Sequence, residues 1–315
     1  MIGDEAGEGS GRTRREVLAT LAGAALVGPA LGAGLLARGA TTMSAGESKT
    51  TAAKGKIRHS LVHWCYAPYF DVPAMIGVAR DLGVESLELI APEHYPALKA
   101  AGLTCAIGSI DLGDDPPFTK GFNNPAHRDR VLKATTDAID AASAHGVERV
   151  ICFTGYADGI SPEAGAANCV EGLKRAAEYA SKKGVVLCLE MLNTRADDHP
   201  MKGHPGYQGN HTDYCMGIID KVGSPHLKLL FDIYHVQIQD GDVIRRIRQL
   251  GDAIGHVHTA GVPGRGELDD NQEVNFPPIM RALQEIGYRG FVGHEFIPTR
   301  DALAGIKQAV ALCTV

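Results

Sequence analysis

From residue 57 onward, short runs of β-branched and other apolar residues alternate with longer stretches in which apolar positions recur every three or four residues. The short runs, at 57–65, 86–91, 104–110, 149–155, 185–192, 227–233, 254–260 and 290–296, predict strands, each bounded by Gly, Pro, Asp or Asn. The longer stretches, at 72–82, 94–101, 128–145, 162–183, 212–222, 242–250, 276–286 and 299–312, predict amphipathic helices. Gly83, Gly102, Gly146, Gly184, Gly223, Gly251 and Gly287 stand at or near helix ends, where a left-handed residue closes the last turn. Eight strand–helix alternations with no spare strand predict a (β/α)8 TIM barrel, one α/β domain over residues 57–315. An open doubly wound sheet would carry a Gly-rich phosphate loop after its first strand, whereas Cys65 is followed by Tyr-Ala-Pro-Tyr.

Residues 1–56 follow a different pattern. Thr13-Arg14-Arg15-Glu16-Val17-Leu18 opens an uncharged, Ala-, Gly- and Leu-rich stretch from 17 to 37, and a Ser/Thr/Lys-rich spacer follows Arg38. This resembles a twin-arginine export signal, although the usual pattern prefers Phe where Val17 stands. The expectation is export to the periplasm, with no membrane contact for the mature domain. The alternative is an uncleaved anchor, since 17–37 is just long enough to span a bilayer.

Composition narrows the partners. An apolar content of 44% and a charged content of 22% are ordinary for a soluble globular chain. A net charge of −6 with no long Lys/Arg run argues against a nucleic-acid partner, because phosphate contacts dominate that affinity. The seven cysteines are scattered and lack a CxxC pair, so they read as small core residues and not as a disulfide framework or zinc ribbon. Small helix residues such as Ala141, Ala142 and Ala144 allow close packing between subunits without requiring it.

In a barrel the chemistry sits at the C-terminal ends of the strands. The fifth strand ends Leu189-Glu190, the sixth Phe231-Asp232, the seventh carries His256-Val257-His258, and the eighth ends His294-Glu295. A carboxylate at the end of an apolar strand carries a large desolvation cost if left unpaired, and a shared cation removes it for all three. Three carboxylates with one imidazole make a hard, oxygen-rich set suited to one divalent ion such as Mn²⁺, Mg²⁺ or Co²⁺. The expected metal ligands are therefore Glu190, Asp232, His258 and Glu295. Alternation places His256 on the face of His258 but deeper, as a core histidine, and turns His294 outward towards the helices. Two further residues are ambiguous. Glu88, ending the second strand, is a substrate contact or a simple salt-bridge partner. His211 is a substrate contact, or else its segment only caps the helix beginning at Thr212. Loops 111–127 and 193–211 are expected to set substrate size, and His63-Trp64-Cys65-Tyr66 to wall the pocket or fill the barrel top.

These strand-end strings, with Leu189-Glu190-Met191-Leu192-Asn193-Thr194-Arg195, Asp232-Ile233-Tyr234-His235-Val236-Gln237 and Val262-Pro263-Gly264-Arg265, resemble the hydroxypyruvate isomerase family. That family belongs to the xylose isomerase-like barrels, with the ketose 3-epimerases. Gly121-Phe122-Asn123-Asn124-Pro125 and Gly293-His294-Glu295-Phe296-Ile297-Pro298 add to the resemblance, which covers residues 57 to 315. It implies that Glu190 and Glu295 double as acid/base groups on opposite sides of the substrate. It further implies that His235 hydrogen-bonds a substrate oxygen and Arg265 binds a carboxylate or hydroxyl. One position departs: some hydroxypyruvate isomerases have Gln where His258 stands and the epimerases have His, which bears on the substrate more than on the chemistry.

The expectation is thus a metal-dependent isomerase of a small hydroxy-carbonyl compound, of the hydroxypyruvate/tartronate semialdehyde type, working through an enediolate. A sugar or ketose epimerase or isomerase is the alternative, because one base returning the proton gives isomerisation and two opposed bases give epimerisation. An apurinic-site endonuclease of the same superfamily would need more strand-end histidines and a basic groove. A non-catalytic exported sugar-binding barrel would have no need of the opposed pair Glu190 and Glu295.

Overall fold

A computed structural model describes residues 56–315, so all but the last residue of the expected signal and spacer lies outside it. The apolar runs form eight strands: β1 (Arg58–Val62), β2 (Ser86–Glu88), β3 (Thr104–Cys105), β4 (Arg149–Cys152), β5 (Val186–Glu190), β6 (Leu227–Asp232), β7 (Ile254–Thr259) and β8 (Phe291–His294). Their spatial order is β3-β2-β1-β8-β7-β6-β5-β4, with every neighbour pair parallel. Backbone bonds from Gly108 N–H to the Arg149 carbonyl (2.9 Å) and from Ile151 N–H to the Gly108 carbonyl (3.0 Å) join the β3 segment to β4. The result is the TIM barrel that the alternation predicts.

Among the described residues ten α-helices follow the strands: α1 (His63–Tyr66), α2 (Val72–Asp81), α3 (Tyr95–Ala100), α4 (Arg128–His145), α5 (Pro162–Lys183), α6 (Thr212–Val222), α7 (Ile233–Gln239), α8 (Val243–Leu250), α9 (Phe276–Glu285) and α10 (Ala302–Cys313). In α4 the buried residues are Val131, Thr135, Ile139 and Ala142, a single stripe of three- and four-residue spacing turned to the sheet. Gly146 ends it at φ 74°, and its N–H reaches the Ala142 and Ser143 carbonyls. All seven predicted punctuation glycines have positive φ. All seven cysteines are buried and free, as core residues should be.

Three elements depart from the periodicity. β1 stops at Val62, because His63–Tyr66 turns into a helical segment at the barrel top. β3 keeps only two paired residues, the rest of 104–110 making the single bridge at Gly108. The run after Asp232, which reads as β-branched and aromatic, is the helix α7. The Asp232 carboxylate accepts the Tyr234 N–H at 2.8 Å and caps its start, so a strand-ending carboxylate also begins a helix.

His294 does turn outward, into a buried row with its neighbours. Thr259 Oγ1 lies 2.9 Å from His294 Nδ1, His294 Nε2 lies 3.1 Å from His59 Nδ1, and His59 Nε2 lies 3.1 Å from Thr314 Oγ1 beyond α10. Burial pushes the His59 pKa down to about 4, with Lys56 adding to it, and burial holds His294 well below the usual histidine range. Both are neutral in the fold and protonated in the unfolded chain below about pH 6.5. Their contribution is therefore complete above that pH and is lost as pH falls towards 4. Between pH 7 and 5 the unfolding free energy is expected to drop by about 2 kcal/mol for a histidine shifted this far. Denaturant titrations of the wild type and His59→Asn check this: the variant should have the flatter pH profile, and parallel profiles would refute the assignment.

Candidate active site

Four consecutive strands in space, β5 to β8, each deliver one polar side chain to the barrel mouth. Glu190 ends β5, Asp232 ends β6, His258 is the fifth residue of β7, and Glu295 follows β8 directly. Parallel pairing sets Asp232 beside His258 and His258 beside Gly293, two residues before Glu295. Their ligand atoms all lie within 4.8 Å of one another, and each residue is at most 5% exposed. His258 Nδ1 is 2.9 Å from Glu295 Oε2 and 3.6 Å from Glu190 Oε1. Trp64 Nε1 donates to Glu295 Oε1 at 2.9 Å.

Arg265 completes this centre. Its Nη2 donates to Glu295 Oε2 at 2.6 Å and reaches Asp232 Oδ2 at 3.3 Å, while Nη1 donates to the Met201 carbonyl at 2.5 Å. The guanidinium carbon lies 5.4 Å from the Trp64 ring centroid and 5.5 Å from that of Tyr234. The loop carrying it has a cis Val262–Pro263 bond, and Arg265 itself has φ 54°. Such a conformation costs on the order of 1 kcal/mol in a residue with a Cβ. The Ile297 N–H bond to the Arg265 carbonyl, at 2.7 Å, helps hold it.

The electrostatics are those of crowded carboxylates. Burial, reinforced by Glu295 and Asp232, pushes Glu190 up to about 7 against the opposing pull of His258. Burial likewise raises Asp232 to about 6, opposed by Arg265 and aided by Glu295. For Glu295 the burial effect is overcome by Arg265 and His258, which hold it well below the usual carboxylate range. Burial alone would lower His258, but Glu295, Glu190 and Glu88 hold it well above its ordinary value. Two charges about 4.8 Å apart repel by on the order of 3 kcal/mol even at an effective dielectric constant of 20. A cation among these oxygens relieves that repulsion. The donor set suits one: three carboxylates, and a buried Nδ1 on His258 that makes no well-aligned hydrogen bond among the described residues.

The other sequence-predicted residues fall at different depths. His235 is fully buried beside Asp232, with Nε2 3.6 Å from Oδ2. Its Nδ1 accepts from the Asn193 backbone N–H at 3.2 Å and faces the Asn193 amide nitrogen at 2.7 Å, which leaves the proton on Nε2. Glu88 does not line the cavity; it is enclosed beneath it, against His256 and His258. His256 lies deep as expected, but with a carboxylate partner. His211 is half exposed, its Nδ1 2.5 Å from Asp240 Oδ1, and does not line the cavity either. Asp240 also accepts the Thr212 N–H at 2.9 Å, so that carboxylate, reaching from the end of α7, caps α6.

A cavity of about 320 Å³ opens above the carboxylates, floored by Glu190, Glu295 and Arg265. Both loops predicted to set its size do line it, through Pro116, Pro117 and Phe118 and through Met201 and His204. His204 is the residue that sequence reasoning missed. It is 1% exposed, its ring packs 4.4 Å from Phe118 and 5.7 Å from His235, and burial, aided by Arg265, pushes its pKa down to about 4. It stands at the cavity as a neutral imidazole. A second hollow, of about 270 Å³, lies at the opposite end of β5 to β8 and holds none of the strand-end carboxylates.

The model of the xylose isomerase-like TIM barrel family matches residues 77–313. The chain is 33% identical over 235 residues to 2-oxo-tetronate isomerase of Cupriavidus necator, covering 71% of this chain and 86% of that protein. It is 28% identical over 249 residues to hydroxypyruvate isomerase of Escherichia coli, covering 76% and 92%. A solved structure described as an AP endonuclease, family 2, from Brucella melitensis superposes with a TM-score of 0.72 at 26% identity, covering 79% of this chain and 96% of that one.

Proposed function

The chain belongs to the xylose isomerase-like TIM barrel family and is an isomerase of it, and from that premise we propose that it interconverts a small hydroxy-carbonyl compound, of the hydroxypyruvate/tartronate semialdehyde kind, with a divalent metal bound. The observation that carries this reading is the convergence of Glu190, Asp232, His258 and Glu295 within 4.8 Å at the base of a cavity. These four would hold the ion, with Mn²⁺, Mg²⁺ or Co²⁺ suiting an oxygen-rich set. When bound, such an ion supplies positive charge beside the substrate's carbonyl and hydroxyl oxygens and so favours loss of the proton from the carbon between them.

The protein's own groups divide the proton work. Glu295, held ionised by Arg265 and His258, is the base that takes a proton from carbon. Glu190, on the cavity floor beside it, is the second carboxylate placed to hold or release a proton. Trp64 and Arg265 fix the Glu295 carboxylate, so little reorganisation is needed when the proton moves. His204, neutral near pH 7, offers a hydrogen bond to a substrate oxygen. Above the floor the walls are largely apolar, including Leu89, Phe118, Ile151 and Phe153. They provide few partners for the hydroxyls of a six-carbon sugar and favour a short substrate.

A second reading, ketose epimerisation, draws on the placement of Glu190 and Glu295 three strands apart on the ring, from which they approach a substrate on separate sides. The position of the carbonyl in the product separates the two. A single base working between adjacent carbons moves the carbonyl, while opposed bases invert a centre and leave the carbonyl in place. The opposed pair also argues against a pure binding protein.

Export through the twin-arginine segment, 13–38, remains part of the proposal. Changing both Arg14 and Arg15 to Lys is expected to retain the chain in the cytoplasmic fraction. Undiminished periplasmic recovery would contradict export by that route, and full-length chain in the membrane fraction would favour the anchor.

A further inference from the structure

Beneath the four strand-end residues lies a buried group that the chemistry above does not use. Glu88, the last residue of β2, is 0% exposed. Its Oε1 lies 3.2 Å from His258 Nε2, and its Oε2 lies 3.0 Å from His256 Nε2. Both are ion-pair contacts, off the line of well-formed hydrogen bonds. β2 and β7 are three strands apart on the ring, so the carboxylate crosses the barrel interior past β1 and β8 to meet them. The crossing depends on Gly293 of β8. A Cβ there would sit 1.8 Å from Glu88 Oε1 and 2.9 Å from His258 Cδ2.

A carboxylate enclosed this way is costly unless paired, and both its oxygens are turned to imidazole nitrogens. The two histidines differ in what lies on their far side. His258 turns its other nitrogen, Nδ1, to Glu295 and Glu190. A carboxylate against Nε2 keeps a proton on that nitrogen, which leaves the Nδ1 lone pair for a cation. The tautomer with its proton on Nδ1 would instead point that proton at the cation's position.

We propose that Glu88 is a positioning residue that fixes the ring orientation and tautomer of His258 so that Nδ1 faces the Glu190, Asp232 and Glu295 carboxylates. His256 engages the second Glu88 oxygen and holds the carboxylate in place across the barrel. This rests on the reading of the four strand-end residues as a metal centre. Glu88 acts through His258 and does not meet the substrate.

The test is Mn²⁺ binding to the metal-stripped full chain, read by titration of free Mn²⁺ and by the imidazole-nitrogen coupling to bound Mn²⁺ in pulsed electron paramagnetic resonance. The wild type should take one ion and give that coupling. Glu88→Gln keeps the volume and removes the charge, and should bind about 10- to 100-fold more weakly with the nitrogen coupling lost or altered. Glu88→Asp keeps the charge but withdraws it by one methylene, and should fall between the two; it serves if the Gln variant does not fold. Wild-type affinity and coupling in either folded variant would overturn the proposal. So would two ions per wild-type chain with one lost on changing Glu88, since Glu88, His256 and His258 would then be ligands themselves. A wild type that binds no Mn²⁺ would remove the underlying metal reading instead.

Discussion

Replacing Glu295 by Gln is expected to lower kcat by about 10²- to 10⁴-fold, the range for loss of a positioned general base, with KM changed far less. The expectation follows from what surrounds this side chain. Its Oε1 accepts from Trp64 and its Oε2 from Arg265, so both carboxylate oxygens already meet a donor. That setting keeps the carboxylate ionised and well below the usual range. Gln has the shape but neither the charge nor the basicity, and its amide NH2 would face one of these donors. Steady-state kinetics on the preferred substrate check the prediction, with Arg175→Ala, on the outer helix α5, as the neutral comparison. A Glu295→Gln enzyme within about threefold of wild type would remove Glu295 from the proton path, since that is far less than a lost base costs.

Removing metal should have a comparably large effect. Protein stripped with chelator is expected to lose turnover, and Mn²⁺, Mg²⁺ or Co²⁺ to restore it. The same titration should raise the melting temperature, because an ion bound only to the folded chain stabilises by about 2.7 kcal/mol at a free concentration of 100 times Kd. The pH dependence has a definite sign. Glu190, at about 7, and Asp232, at about 6, must lose protons before they can bind a cation, so apparent affinity falls as pH drops below neutrality. Full activity in chelated protein with well under one ion per chain would rule the metal out.

Most of the fold can be read from periodicity, because the longer helices such as α4 bury one stripe and most strands are short apolar runs closed by a turn residue. The weak point is the third strand, where 104–110 has the composition of a strand but pairs only at Thr104–Cys105 and Gly108. Helix α7 is hidden for a similar reason, since its β-branched and aromatic residues disguise a start fixed by the Asp232 cap. The four strand-end residues Glu190, Asp232, His258 and Glu295 are legible because one rule, that barrel chemistry sits at strand C-termini, converts sequence position into location. Residues whose role depends on loop paths or on distance across the barrel are not. His211 and His204 share one loop, and nothing periodic indicates that His204 turns in against Phe118 while His211 turns out to Asp240. Glu88 ends its strand as a site residue would, yet its reach past β8 to His256 and His258 depends on Gly293 lacking a side chain. Arg265 is singled out by its motif, but its pairing with Glu295 and Asp232 is a property of the folded mouth.

The most direct test of the central claim is proton NMR of the metal-loaded protein in D2O, first with hydroxypyruvate, then tartronate semialdehyde, then a panel of ketoses. Deuterium is expected to enter at the carbon beside the carbonyl together with movement of that carbonyl, fastest for a short hydroxy-carbonyl acid. Exchange with inversion of a ketose centre and an unmoved carbonyl would make the enzyme an epimerase. No exchange with any of these compounds, in protein that binds its metal stoichiometrically, would contradict the proton-transfer chemistry assigned to Glu190 and Glu295.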